Sequence, residues 1–177
     1  DPGFAQQWHY FEATGGLNLP PAWDITSGAG IRVAVIDTGF RPHPDLASNI
    51  IAGYDFISDT FIARDSDGRD ADPMDPGDFS AAGECGAGSP ASGSSWHGTH
   101  VSGTVAAVTN NGSGVAGVAF GAKVVPVRAL GRCGGLSSDI ADAITWALGG
   151  SVPGVPNIAA RVHVLNLSLG GTGACSS

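Results

Sequence analysis

One short run constrains the fold more than any other feature of this chain. Ile31-Arg32-Val33-Ala34-Val35-Ile36 is apolar at all but one position and leads directly into Asp37-Thr38-Gly39. A strand with one solvated face alternates apolar and polar residues. An unbroken run suits a strand covered on both faces of a parallel sheet. Parallel neighbours need crossover connections, usually helices, and the rest of the chain supplies candidates for both. Asn49 to Phe56 reads as a second strand. His97 to Thr109 (HGTHVSGTVAAVT) predicts a buried helix of small residues that stops at Asn110-Asn111-Gly112. Lys123 to Leu130 alternates like a strand, although Pro126 withholds one ladder bond. Ser137-Ser138-Asp139 offers an N-cap for a helix through Leu148, with Ile140, Ile144, Ala147 and Leu148 at helical spacing. Arg161 to Leu169 reads as a further strand. The expectation is an α/β fold built on a parallel sheet. Only six residues follow Gly171, where a crossover would be needed, so the chain is expected to be a truncated or nicked piece.

At 177 residues, 42% of them apolar, the chain is long enough for one core. No segment approaches the ~18 consecutive apolar residues of a membrane span, and no signal-peptide pattern opens the sequence. Eight basic against sixteen acidic residues give a net charge of -8, which argues against a nucleic-acid partner. Eight of the fourteen aspartates crowd between Asp55 and Asp78, offset there only by Arg64 and Arg69. With two glutamates and a single lysine in the whole chain, this is not a solvated helix face. Short carboxylates in a loop cap turns or bind cations. The three cysteines, Cys85, Cys133 and Cys175, match no CxxC signature. One disulfide with a leftover thiol, or three reduced thiols, both fit the composition.

Two residues stand out chemically. Asp37 falls at the carboxyl end of a buried strand, where α/β proteins place ligands and catalysts. His97, in Ser95-Trp96-His97-Gly98-Thr99-His100, falls at a predicted helix start. Taken singly, each is more ordinarily a turn cap or a core residue. Taken together and in this order, they are the first two members of an Asp…His…Ser triad. In such a triad the imidazole accepts a serine proton, and the carboxylate fixes its tautomer.

The segments VAVIDTGFRPHPDL, SSWHGTHVSGTVAAVTNNGSGVAGVA, VVPVRALGRCGGLSSDIADAITWA and VLNLSLGG resemble the subtilisin-like serine proteases, most closely the thermitase-like and secreted bacterial branches. The resemblance runs along essentially the whole chain. It implies a subtilisin-like parallel sheet with helices on both faces, and a serine endopeptidase in which Asp37 orients and His97 is the general base. His100 matches the second, structural histidine of HGTH. The family's nucleophile motif (GTSMAxP) and its oxyanion motif (AAGN) do not occur. Residues 1–177 therefore resemble the N-terminal portion of one catalytic domain, with serine and asparagine expected from a C-terminal portion of the same enzyme.

The resemblance carries further expectations. Peptide substrates would lie as an added strand between Gly134-Gly135-Leu136 and Ser168-Leu169-Gly170, with Leu130 and Leu136 lining apolar subsites. Calcium would be held by Asp1, Asp45 and the Asn111 side chain, with the carbonyls of Val108, Ser113 and Val115, and Asp1 would be the start left by propeptide removal. A second calcium is suggested by Asp65, Asp67, Arg69, Asp70 and Asp72 with Asp75. That stretch opens like an EF-hand but lacks the closing glutamate, and a solvated acidic loop is the alternative. Cys85 is expected to pair with Cys133, leaving Cys175 to hold the C-terminal portion. The implied setting is extracellular, with protein substrates and no membrane partner. Two rival functions remain at this stage: a metal-dependent hydrolase using His97, His100 and Asp37, and an inactive binding or inhibitory fragment. A dinucleotide-binding fold is disfavoured, since no GxGxxG follows the first strand.

Overall fold

The computed structural model describes residues 1–171. Four parallel strands, β1 (Arg32–Asp37), β2 (Tyr54–Asp55), β3 (Lys123–Arg128) and β4 (Val164–Asn166), form one sheet in the order β2-β3-β1-β4. The helices are α1 (Trp8–Phe11), α2 (Leu19–Trp23), α3 (Thr60–Ala63), α4 (His97–Ala106) and α5 (Ser137–Ala147).

The continuous apolar run of β1 has the cause anticipated above, because helices cover both faces. Ala34 and Ile36 join Val125, Val127 and the α5 residues Ala143, Trp146 and Ala147 on one side. On the other side Val35 packs with Val124 and with Ala106, Val101 and Val105 of α4. The sheet therefore fixes the relation between the carboxyl end of β1 and the amino end of α4.

Several elements are shorter than the sequence implied, and each has a local reason. The expected strand from Asn49 to Phe56 breaks into a bridge at Ile50 and the two-residue β2. Pro126 explains the gap. Lys123 and Ala129 donate their amides toward β1, whereas the Val124 amide donates to the Asn49 carbonyl and the Arg128 carbonyl accepts from Phe56 on the β2 side. Alternation puts the missing N–H of Pro126 on the β2 side, opposite Ala52-Gly53. The backbone closes there so tightly that a Cβ on Gly53 would overlap the Pro126 carbonyl.

Helix α5 is not capped by a serine. Leu136 is the extended N-cap, and no side chain caps the helix. Asp139 instead turns away to accept from the Ser58 amide and hydroxyl and from Arg69. Helix α4 ends at Ala106, where Ala107 turns extended, short of the Asn110-Asn111-Gly112 stop. The last strand pairs over three residues only, after which Leu167 to Gly171 leave the ladder.

Candidate active site

Asp37 ends β1 with its carboxylate fully buried, and His97 is the first residue of α4. The His97 Nδ1 lies 2.8 Å from Oδ1 and 2.9 Å from Oδ2 of Asp37. Oδ1 also accepts the Thr38 amide at 2.7 Å. A carboxylate offers only acceptors, so the bridging proton sits on Nδ1 and the lone pair is left on Nε2. The imidazole is 45% exposed while its partner is sealed in, so the ring has one dry edge and one open to a cleft.

Two features set this approach. Gly98 packs its backbone against Gly39, where any Cβ would collide with the Gly39 carbonyl and crowd Asp37. The Thr38 hydroxyl donates to buried Asp75 at 2.8 Å and accepts the Gly98 amide at 3.0 Å, which ties the strand end to the helix start. Burial pushes the Asp75 carboxyl above its ordinary range, and the Thr38 and Gly77 donors pull it back. Neither Thr38 nor Asp75 was picked out for this role by the sequence reading. The signal was the position of Thr38 directly after a strand-end aspartate.

The cleft facing His97 has a volume of about 870 Å³. Gly134, Gly135, Ser168, Leu169 and Gly170 line it together with Leu130. Leu136 does not; it caps α5 and stands 41% exposed. A disulfide joins Cys85 and Cys133 across 5.3 Å between Cα atoms, and both residues border the cleft. The expectation for Cys175 lies outside the described residues. His100 faces a different cavity, shared with His9, His43 and Asp45. His97 and His100 thus do not converge, which removes the geometric basis for a metal centre made from them and Asp37.

The first expected calcium loop is gathered in space but arranged around hydrogen bonds. Asp1 accepts the Asn110 and Asn111 amides at 2.8 and 3.1 Å. Buried Asp45 accepts Asn111 Nδ2 at 2.7 Å and the Val115 amide at 2.9 Å, and Asn111 Oδ1 accepts from Ser113. The donor set suits calcium in kind, being carboxylate, amide and carbonyl oxygens. Holding an ion would require the Asn111 amide to turn its oxygen toward Asp45.

The second stretch fits a cation less well. Asp65, Asp67, Asp70, Asp72 and Asp75 border a cleft of about 270 Å³ with Arg41. Among the described residues, however, no three His, Cys, Asp or Glu side chains converge as ligands. Asp65 and Asp55 pair with Arg128, which is wholly buried and also donates to the Ala63 carbonyl. Burial pushes the Asp55 carboxyl up to about 7, against the pull of Arg128. Asp70 and Asp72 close local turns by accepting the amides of Asp72 and Met74. Arg69 sends its side chain the other way, to Asp139 at 2.7 Å and Asp142 at 2.8 Å. Much of the acidity therefore answers turn amides and buried or nearby arginines, and the arginine partners are what sequence spacing did not reveal.

Comparison with known proteins points one way. The Subtilase family profile matches residues 28–177. An extracellular protease of Xanthomonas campestris is 62% identical over 177 residues, which is 100% of this chain and 30% of that protein. An extracellular basic protease of Dichelobacter nodosus is 52% identical over 181 residues, covering 99% of this chain and 30% of the relative. Thermitase of Thermoactinomyces vulgaris is 35% identical over 158 residues, covering 88% and 43%. A solved structure titled as proteases from Pseudoalteromonas arctica superposes with a TM-score of 0.97 at 64% identity, covering all of this chain and 52% of that one. The chain thus spans under a third of the two most similar of these curated relatives and about half of the solved chain.

Two glycines of α4 test the packing argument against each other. Gly98→Ala should destabilise the protein by about 1 to 3 kcal/mol through overpacking. Gly103, which has open space around its Cβ position, should gain about 0.5 to 1 kcal/mol on substitution by Ala from helix propensity alone. Urea unfolding followed by circular dichroism reads both. Equal effects would contradict the account.

Proposed function

This chain belongs to the Subtilase family, and we propose that it supplies the carboxylate and the imidazole of a secreted serine endopeptidase. The reading is carried by one observation: a buried Asp37 carboxylate against His97 Nδ1, with Nε2 left toward a cleft. In this reading residues 1–177 are the N-terminal portion of one catalytic domain. The serine and the oxyanion asparagine come from the C-terminal portion, held in part through Cys175. Secretion is supported by the names of the relatives, two of which are extracellular proteases.

The chemistry follows from the geometry. Nε2 takes the proton of the serine hydroxyl as its oxygen adds to the peptide carbonyl carbon. Asp37 stays ionised and stabilises the imidazolium that forms. The same proton passes to the leaving amine nitrogen as the C–N bond breaks. Water then attacks the acyl-enzyme, with His97 again taking and returning a proton. The substrate backbone pairs as a strand with Gly134-Gly135 on one rim and Ser168 to Gly170 on the other. Glycine at those positions lets the two backbones approach.

In the full-length enzyme, His97→Ala should lower kcat by about 10⁴ to 10⁶ and Asp37→Asn by about 10⁴. Labelling by a fluorophosphonate should fall in parallel. Retained turnover in His97→Ala would refute the assignment.

Calcium at the loop of Asp1, Asp45, Asn111 and the carbonyls of Val108, Ser113 and Val115 belongs to the same proposal. Its support is the meeting of the Asp1 and Asp45 carboxylates with the loop from Asn110 to Val115, from segments more than sixty residues apart. Chelation with EGTA should lower Tm by about 5 to 10 °C at saturating calcium, and Asp45→Asn should abolish the difference. An unchanged Tm on chelation would remove calcium from the account.

A further inference from the structure

We propose that Asp78 gives the cleft a preference for a cationic substrate side chain, lysine or arginine, at the position lying against its His97 end. This rests on the protease reading above and specifies the substrate that reading leaves open.

Asp78 borders the cleft beside Ser95 and His97. Apart from the imidazole, the described residues lining the cleft are glycine, serine, threonine, leucine, isoleucine and the disulfide, so Asp78 is the one formal charge among them. The cations nearby are engaged elsewhere. Arg132 pairs with Glu84 at 2.9 Å, Arg64 donates to the Phe79 carbonyl and stacks on its ring, and Arg41 stacks on Trp96. Among the described residues, Asp78 has no ion-pair partner of its own.

The carboxylate is also held in place. It accepts the Ser95 amide at 2.6 Å and the Ser95 hydroxyl at 2.7 Å, which orients both oxygens and leaves each a lone pair. The Ser95 oxygen in turn accepts the His97 amide at 3.2 Å, so the charge is held in fixed relation to the helix that carries the base. The loop holding it is braced. Ser80 and Ser92 exchange backbone bonds at 3.1 and 2.9 Å, and the Cys85–Cys133 bridge ties the loop to the rim of Gly134-Gly135. A fixed carboxylate in an otherwise uncharged groove selects an ammonium or guanidinium group without first paying to reorganise.

The test uses the full-length enzyme and peptides that differ only by Lys, Arg, Gln or Glu, scanned across the positions around the cleaved bond. At one position kcat/KM should favour Lys and Arg over Gln by about three- to tenfold, the range of a partly exposed ion pair. The advantage should shrink at 1 M salt. Asp78→Asn should abolish it and Asp78→Glu should retain it. If Asp78→Asn lowers kcat for every peptide alike, the residue only positions Ser95 and His97 and the proposal fails. It fails equally if no position shows a cationic preference, or if Asp78→Asn leaves the preference intact. Absence of cleavage of any peptide, with no fluorophosphonate labelling, would instead overturn the protease reading itself.

Discussion

The structure turns on one contact, between a carboxylate that has lost all access to water and an imidazole that keeps half of its own. Asp37 and His97 are 60 residues apart in sequence and meet because two different elements end at the same place. Burying a carboxylate alone costs several kcal/mol, roughly, so it must be given donors. The Thr38 amide and the His97 Nδ1–H are those donors. The acid thereby fixes the ring through Nδ1, and the free nitrogen inherits a direction from it.

That contact requires a particular framework. β1 lies between β3 and β4 with helices on both faces, so its carboxyl end cannot shift without disturbing the core. Gly98 lets α4 begin directly on the strand end, and the Thr38 hydroxyl joins that start to Asp75. Around this lies a second charged system. Arg128, on the adjacent strand β3, is enclosed by Asp55, Asp65 and the Ala63 carbonyl. An ion group of this kind adds little net stability, but loss of one member leaves a buried charge uncompensated. It anchors the acidic loops to the end of the sheet where the base stands.

Parts of this were legible in the sequence because they rest on local patterns. A run such as Val33 to Ile36 has few alternatives to a doubly covered strand, and the order of a strand-end aspartate and a helix-start histidine narrows the chemistry. The parts that were not legible depend on where a backbone amide points or which distant side chain arrives. Pro126 looked like a mark against a strand, yet its nitrogen faces a gap. Asp139 looked like part of a helix cap and instead receives Ser58 and Arg69. The aspartates from Asp65 to Asp75 suggested a cation site or a solvated acidic loop, and four of them, Asp65, Asp70, Asp72 and Asp75, meet Arg128, turn amides and Thr38. Side-chain partners separated by fifty or more residues leave no trace in local spacing.

The central claim is that Asp37 holds the His97 proton on Nδ1 and leaves Nε2 free. The direct measurement is the ¹⁵N spectrum of His-labelled full-length enzyme at alkaline pH. The account predicts that His97 shows a protonated Nδ1 and an unprotonated Nε2, and that Asp37→Asn removes this bias. A protonated Nε2 in the unaltered protein, or a tautomer indifferent to Asp37, would contradict it.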